Sequence, residues 1–122
     1  MSDALTVMAA AYTEAALWAG LHFDDPDEEP CLFANAGYGP DDIAPELADE
    51  IRSTCADFRS AAGAMLYRWS PAQAGHDLYL TRERHGAGFW DRGLEYGDEL
   101  TELAHAYGSH DLYVGDDGRI HS

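Results

Sequence analysis

Lysine is absent from this sequence. Its 122 residues carry seven cations, all of them arginine (Arg52, Arg59, Arg68, Arg82, Arg84, Arg92 and Arg119), against 23 carboxylates, for a formal net charge of −16. A chain with so little positive charge repels phosphate backbones and anionic headgroups, which argues against direct nucleic-acid binding and against a membrane-surface role. Long hydrophobic runs are lacking too. The most apolar stretch, Ala4 to Phe23, is interrupted by Thr6, Thr13, Glu14 and His22, so neither a signal peptide nor a membrane span is expected, and the cytoplasm is the expected compartment. Cysteine is scarce: Cys31 and Cys55 lack C-x-x-C spacing, and reduced thiols are the expectation, with a Cys31–Cys55 disulfide left open by the sequence.

What is present is enough to bury a core, since 46% of residues are hydrophobic and 11% aromatic, and residues 1–122 read as one domain. Leu5, Met8, Tyr12, Ala15 and Ala16 recur at helical spacing, predicting a first helix from Asp3 to about Trp18 that ends at Gly20. Residues 20–42, with their prolines, glycines and the acidic run Asp24 to Glu29, read as a long loop. Leu47, Ile51, Cys55, Phe58, Ala62, Met65, Leu66 and Trp69 form one apolar stripe, predicting a second helix with Pro45 in its first turn and Ser70-Pro71 as its stop. His76 to Arg82 alternates as a strand, Glu83 to Gly88 has turn composition, and Phe89 to Arg92 reads as an antiparallel return. A third helix is expected from Tyr96 to Tyr107. A second hairpin follows, in which Leu112 to Val114 and Arg119 to His121 flank a Gly115-Asp116-Asp117-Gly118 turn. The expected fold class is α+β: two N-terminal helices, then a ββαββ unit with a small antiparallel sheet packed on the long helix.

Three constellations bear on function. Carboxylates three or four residues apart on a helix lie about 5–6 Å apart, close to the phosphate spacing along a nucleic-acid strand. Glu46, Asp49, Glu50 and Asp57 on the second helix, with Asp98, Glu99 and Glu102 on the third, therefore stand as candidate partner-binding residues, and the partner they imply is a basic nucleic-acid-binding protein or complex. The plain alternative is a general interaction protein whose acidity reflects a salt-adapted or high-GC host. A second alternative is a small metal- or phosphate-directed enzyme using His76, His85 and Asp91, drawn from the possible metal set of His76, Asp77, His85, Asp91, His105 and His110. A strand sends His76 and Asp77 to opposite faces, which weakens that reading. His85-Gly86-Ala87-Gly88 is followed by strand-like residues and not by a helix N-terminus, as a phosphate loop requires, and no Gly-x-Ser-x-Gly elbow occurs. No metal, cofactor or catalytic activity is expected. Trp69, Tyr79, Phe89, Trp90 and Tyr113 read as core, with one of Phe89 and Trp90 buried under the helices and the other on the opposite face.

The stretches Ala74-Gly75-His76-Asp77-Leu78-Tyr79-Leu80-Thr81-Arg82, His85-Gly86-Ala87-Gly88-Phe89-Trp90-Asp91-Arg92-Gly93 and Asp111-Leu112-Tyr113-Val114-Gly115-Asp116-Asp117-Gly118 together resemble a family of small acidic proteins common in bacteriophage and mobile-element genomes. The resemblance covers residues 74–118 well. Ala15 to Trp18 and Tyr38 to Ala44 resemble the family's looser N-terminal half, while Tyr79 and Glu83-Arg84 depart from its pattern. It carries over no catalytic residue. What it implies is origin: a phage accessory gene is often an inhibitor of host defence, of the anti-CRISPR or anti-restriction kind. The expectation is thus a non-enzymatic acidic binding protein, phage-encoded, that inhibits a host defence complex by nucleic-acid mimicry.

Overall fold

Asp3 opens the first element by accepting a hydrogen bond from Thr6 N at 2.7 Å, and helix α1 runs from Ala4–Ala19 behind this cap. The computed structural model describes residues 3–22, 31–84 and 87–122. α1 buries Met8, Tyr12, Ala15, Ala16 and Leu17: four of the five positions that the sequence predicted, with Leu17 added and Leu5 only half-buried. The described parts of the expected loop over 20–42 carry more regular structure than its composition implied. Strand β1 (Leu21–His22) pairs antiparallel with β2 (Cys31–Leu32), and a single 3-10 turn spans Pro40–Asp42. Backbone bonds from Phe33 N to Gly20 O and from Ala34 N to Leu17 O tie the returning chain onto the end of α1, where the Phe33 side chain is buried. The acidic run Asp24 to Glu29 lies outside the described residues.

Helix α2 (Pro45–Ala62) has Pro45 at its first position and buries Leu47, Ile51, Cys55, Phe58 and Ala62, as its stripe predicted. It ends sooner than expected. Gly63 takes φ +53°, a conformation that suits glycine, and the chain tightens into a 3-10 turn over Gly63–Leu66. Ser70-Pro71 proves to be a start and not a stop: Ser70 Oγ accepts from Gln73 N at 3.1 Å, and Pro71 opens helix α3 (Pro71–Arg82).

This helix overturns the expected first hairpin, and with it the ββαββ unit. His76 to Arg82 is helical, and Phe89–Asp91 is a 3-10 turn. The physical reason is burial on every side. Asp77, Leu78, Tyr79, Leu80, Thr81 and Arg82 are all buried, so the segment has no polar stripe to mark a 3.6-residue period, and chance alternation mimicked a strand. Helix α4 (Gly97–His105) falls inside its expected range, and β3 (Tyr113–Val114) pairs antiparallel with β4 (Ile120–His121) across the Asp-Gly turn. The fold class is α+β, made among the described residues of four α-helices and two short antiparallel ladders.

α1 packs chiefly on α3, and the approach is close enough to require glycine: a Cβ at Gly75 would stand 2.0 Å from Met8 O. Phe58 of α2 stacks on Phe89 with ring centroids 5.4 Å apart, and Trp69 meets the same ring edge-on at 5.5 Å. Of the aromatics expected in the core, Trp69, Tyr79 and Phe89 are buried, whereas Trp90 and Tyr113 are exposed. Cys55 is a buried free thiol whose pKa burial pushes up to about 12, so the disulfide left open by the sequence is not formed. Among the described residues no helix is long and apolar enough to cross a membrane.

Candidate interaction surface

All seven carboxylates singled out in the sequence are exposed. On α2, Glu46, Asp49 and Glu50 lie three and four residues apart and Asp57 follows two turns on along the same stripe, while Arg52 and Arg59 lie on its flank. Arg52 turns toward α1, donating to Thr6 Oγ1 at 3.0 Å and standing 3.8 Å from Asp3. On α4, Asp98 and Glu99 occupy the first turn, where the helix dipole favours negative charge, and Glu102 follows one turn on. Two of the seven are engaged by the protein itself. Asp57 accepts from the Tyr107 hydroxyl, which links the end of α4 to α2, and Glu50 accepts from the Ser122 hydroxyl. Burial and the adjacent Asp57 push the Tyr107 phenol up to about 12. The side chains of Glu46, Asp49, Asp98, Glu99 and Glu102 have neither an ion pair nor a hydrogen bond among the described residues.

The residues of the metal reading are not brought together. Asp77 points inward and is fully occupied: Arg92 clamps it through Nη2 at 2.7 Å and Nε at 3.1 Å, Trp69 Nε1 donates at 2.9 Å and Gln73 Nε2 at 2.8 Å. His76 is half-buried beside it on α3, still diverging, because consecutive helical residues stand about 100° apart. Asp91 Oδ1 accepts from Gly88 N at 2.9 Å, and His85 lies outside the described residues. Among the described residues no group of three metal-ligating side chains converges.

A buried polar network that the sequence did not reveal joins three distant elements. Arg82 Nη1 donates to Tyr12 Oη at 2.8 Å, and Tyr12 Oη lies 2.7 Å from His110 Nδ1. A guanidinium has only donors, so the phenol oxygen accepts from Arg82 and its proton serves His110 Nδ1, which leaves the imidazole proton on Nε2. That nitrogen is buried and makes no hydrogen bond, although Glu50 Oε1 stands 3.5 Å away. Burial, then the Arg82 charge, hold the His110 pKa below its ordinary value, against the opposing pull of Glu50. His110 N also donates to Glu83 Oε1 at 2.5 Å, and Arg82 Nε donates to Gly108 O at 2.9 Å.

Trp18 is the other feature the sequence did not single out as a site. It is 59% exposed at the end of α1 and borders a groove of about 640 Å³ between α1, the 34–40 turn and the entry to α2. Its position was legible in principle: Trp18 lies off the stripe that Met8, Tyr12 and Ala16 turn inward. Among the described residues, Glu14 is the one charged residue on the wall.

Compared with protein-family models, with curated proteins and with solved structures, the chain finds no match in any of the three. Its fold and surface define a small acidic α+β protein with two carboxylate-bearing helices, α2 and α4, in contact with each other.

Proposed function

We propose that this chain is a non-enzymatic binding protein whose acidic helices occupy the basic nucleic-acid-binding surface of a protein partner. The observation that carries the reading is that Glu46, Asp49, Asp98, Glu99 and Glu102, all exposed on α2 and α4, have no partner among the described residues. Like charges one helical turn apart cost an isolated helix roughly 0.2–0.5 kcal/mol per pair, so Glu46 with Glu50 and Asp98 with Glu102 work against folding. A row of guanidinium or ammonium groups would turn the same spacing into attraction and steer the encounter. The resemblance to phage and mobile-element proteins, which rests on the quoted motifs alone, makes a host defence complex the partner of choice.

The test is competition. A partner recovered from a bacterial lysate on the immobilised protein should be released by added duplex DNA and by salt, and the Glu46→Gln, Asp49→Asn, Glu102→Gln triple variant should bind it more weakly by a factor that shrinks as salt rises. A partner that holds DNA and this protein at once, or binding unchanged at about 0.5 M salt, where the Debye length is only some 4 Å, would refute mimicry.

A further inference from the structure

Trp18 differs from Tyr67 and Tyr113, the two other aromatics more than half exposed among the described residues, in what surrounds it. Tyr67 donates its hydroxyl to Glu95 at 2.7 Å, and Tyr113 stacks on His121 at 5.8 Å, whereas Trp18 borders a groove whose walls include Leu17, Tyr38 and Ile43. The polar groups near this groove are already committed. Thr13 Oγ1 donates to Ala9 O at 3.0 Å, and Gly39 N donates to Asp42 Oδ2 at 2.8 Å. Glu14 is the exception: it is exposed, and its carboxylate has neither an ion pair nor a hydrogen bond among the described residues. Glu14 and Trp18 stand four residues apart on α1, about 5–6 Å between Cβ atoms, so one planar cation can reach both.

The charge around the groove selects its occupant. No arginine lines it among the described residues, and Asp41, exposed next to the lining residue Pro40, adds a second negative group on the adjoining turn. An anionic ligand would meet Glu14 unpaired. A second copy of this chain would bring −16 against −16. We infer that the groove receives an arginine-flanked apolar segment of the partner, with an aliphatic side chain seated between Leu17 and Ile43 and a guanidinium lying on the Trp18 indole while it pairs with Glu14. Arginine is suited to this because its plane stacks on indole and its fork meets a carboxylate. The inference rests on the reading of a basic partner and adds to it an apolar anchor, which a phosphate row alone does not recognise.

The probe is a blocked peptide of two leucines flanked on each side by two arginines. Its controls are an all-arginine peptide of equal length and one in which glutamine replaces every arginine. Binding is followed by calorimetry and by the Trp18 indole N–H resonance. The mixed peptide should bind more tightly than either control and shift that resonance. Trp18→Ala and Glu14→Gln should each weaken it about fivefold or more, while Trp18→Phe, which keeps an aromatic face, retains most of the affinity. Because Trp18 is largely exposed, the variants should melt with the parent, and the melting curve checks that loss of binding is not loss of fold. Unchanged affinity in Trp18→Ala, equal binding of the glutamine peptide, or self-association that depends on Trp18 would each overturn the proposal. If the all-arginine peptide binds in a salt-sensitive way and the triple variant of α2 and α4 loses it while Trp18→Ala does not, the groove fails and the acidic-helix reading stands. If Trp18→Ala and Glu14→Gln weaken the mixed peptide while the triple variant leaves both arginine peptides untouched, the acidic-helix reading fails and the groove stands.

Discussion

Asp77 and Glu46 are both carboxylates carried on helices, and the molecule treats them in opposite ways. Asp77 on α3 is fully buried and receives hydrogen bonds from Arg92, Trp69 and Gln73, so its charge holds α3, the linker before it and the 89–92 turn in one arrangement. Glu46 on α2 is exposed and has no partner among the described residues. The difference teaches that this chain's acidity serves two ends. A small interior part is matched donor for donor and works in the fold, and a large exterior part remains available to something outside it.

The sharpest break of this comparison is to remove each charge in turn. Asp77→Ala leaves a guanidinium, an indole N–H and an amide without their acceptor. It should cost about 3 kcal/mol in urea denaturation, toward the low end for a broken buried pair because the Arg92 side chain is 34% exposed. If Asp77→Ala melts like Glu46→Gln, the division into working and spare charge is wrong.

An apolar version of the same contrast sits next door. Phe89 is fully buried between Phe58 and Trp69, whereas Trp90 is 49% exposed. Phe89→Ala should lose roughly 3 kcal/mol or more, and Trp90→Ala well under 1 kcal/mol. Chemical denaturation of the pair checks this, and equal losses would place both rings in the core.

A smaller effect separates the buried imidazole from the surface carboxylates. The folded-state pKa of His110 is depressed, so between that value and the ordinary 6.5 the unfolded chain binds more protons than the native one, and stability must rise with pH. The contribution is intact above about pH 6.5 and is lost as the pH falls through that window, where a proton would charge a ring already beside Arg82. Melting temperatures should therefore drop between pH 7.5 and pH 5.5, and His110→Gln should flatten the slope. An unchanged slope in that variant would assign the acid sensitivity to other groups. The smallest effect is that of Glu46→Gln, Asp49→Asn and Glu102→Gln together, which should leave stability unchanged or raise it by a few tenths of a kcal/mol, because only repulsion is removed. A clear loss in that melt would reveal a structural role for these carboxylates.

The parts of this molecule that announce themselves in the sequence are those with one wet face. α2 and α4 alternate buried and exposed residues at helical period, and the C-terminal hairpin carries its Asp-Gly turn, so all three were legible. α3 was not, because neighbours enclose it and Gly75, a poor helix former, is there for the close approach of α1. The two-residue pairing of Leu21–His22 with Cys31–Leu32 is set by contacts to α1 and has no local pattern to betray it. The acidic residues could be picked out as types, but only the structure distinguishes Asp57 and Glu50, which have internal partners, from the five that have none among the described residues. The Tyr12, Arg82 and His110 network joins positions far apart in the chain and leaves no local trace.

One small contact bears on the order in which this protein is expected to assemble. Ile120, in the last strand, is fully buried and forms a parallel bridge with Ile43, while its carbonyl accepts from Ala44 N at 2.9 Å, at the threshold of α2. The entry to the second helix is thus latched by a residue synthesised more than half a chain later. Closing so long a loop is slow relative to forming the helices, so the latch should be among the last contacts made. A truncated chain that ends before Ile120 would lack both the bridge to Ile43 and the acceptor for Ala44 N, and the first turn of α2 would lose this fastening.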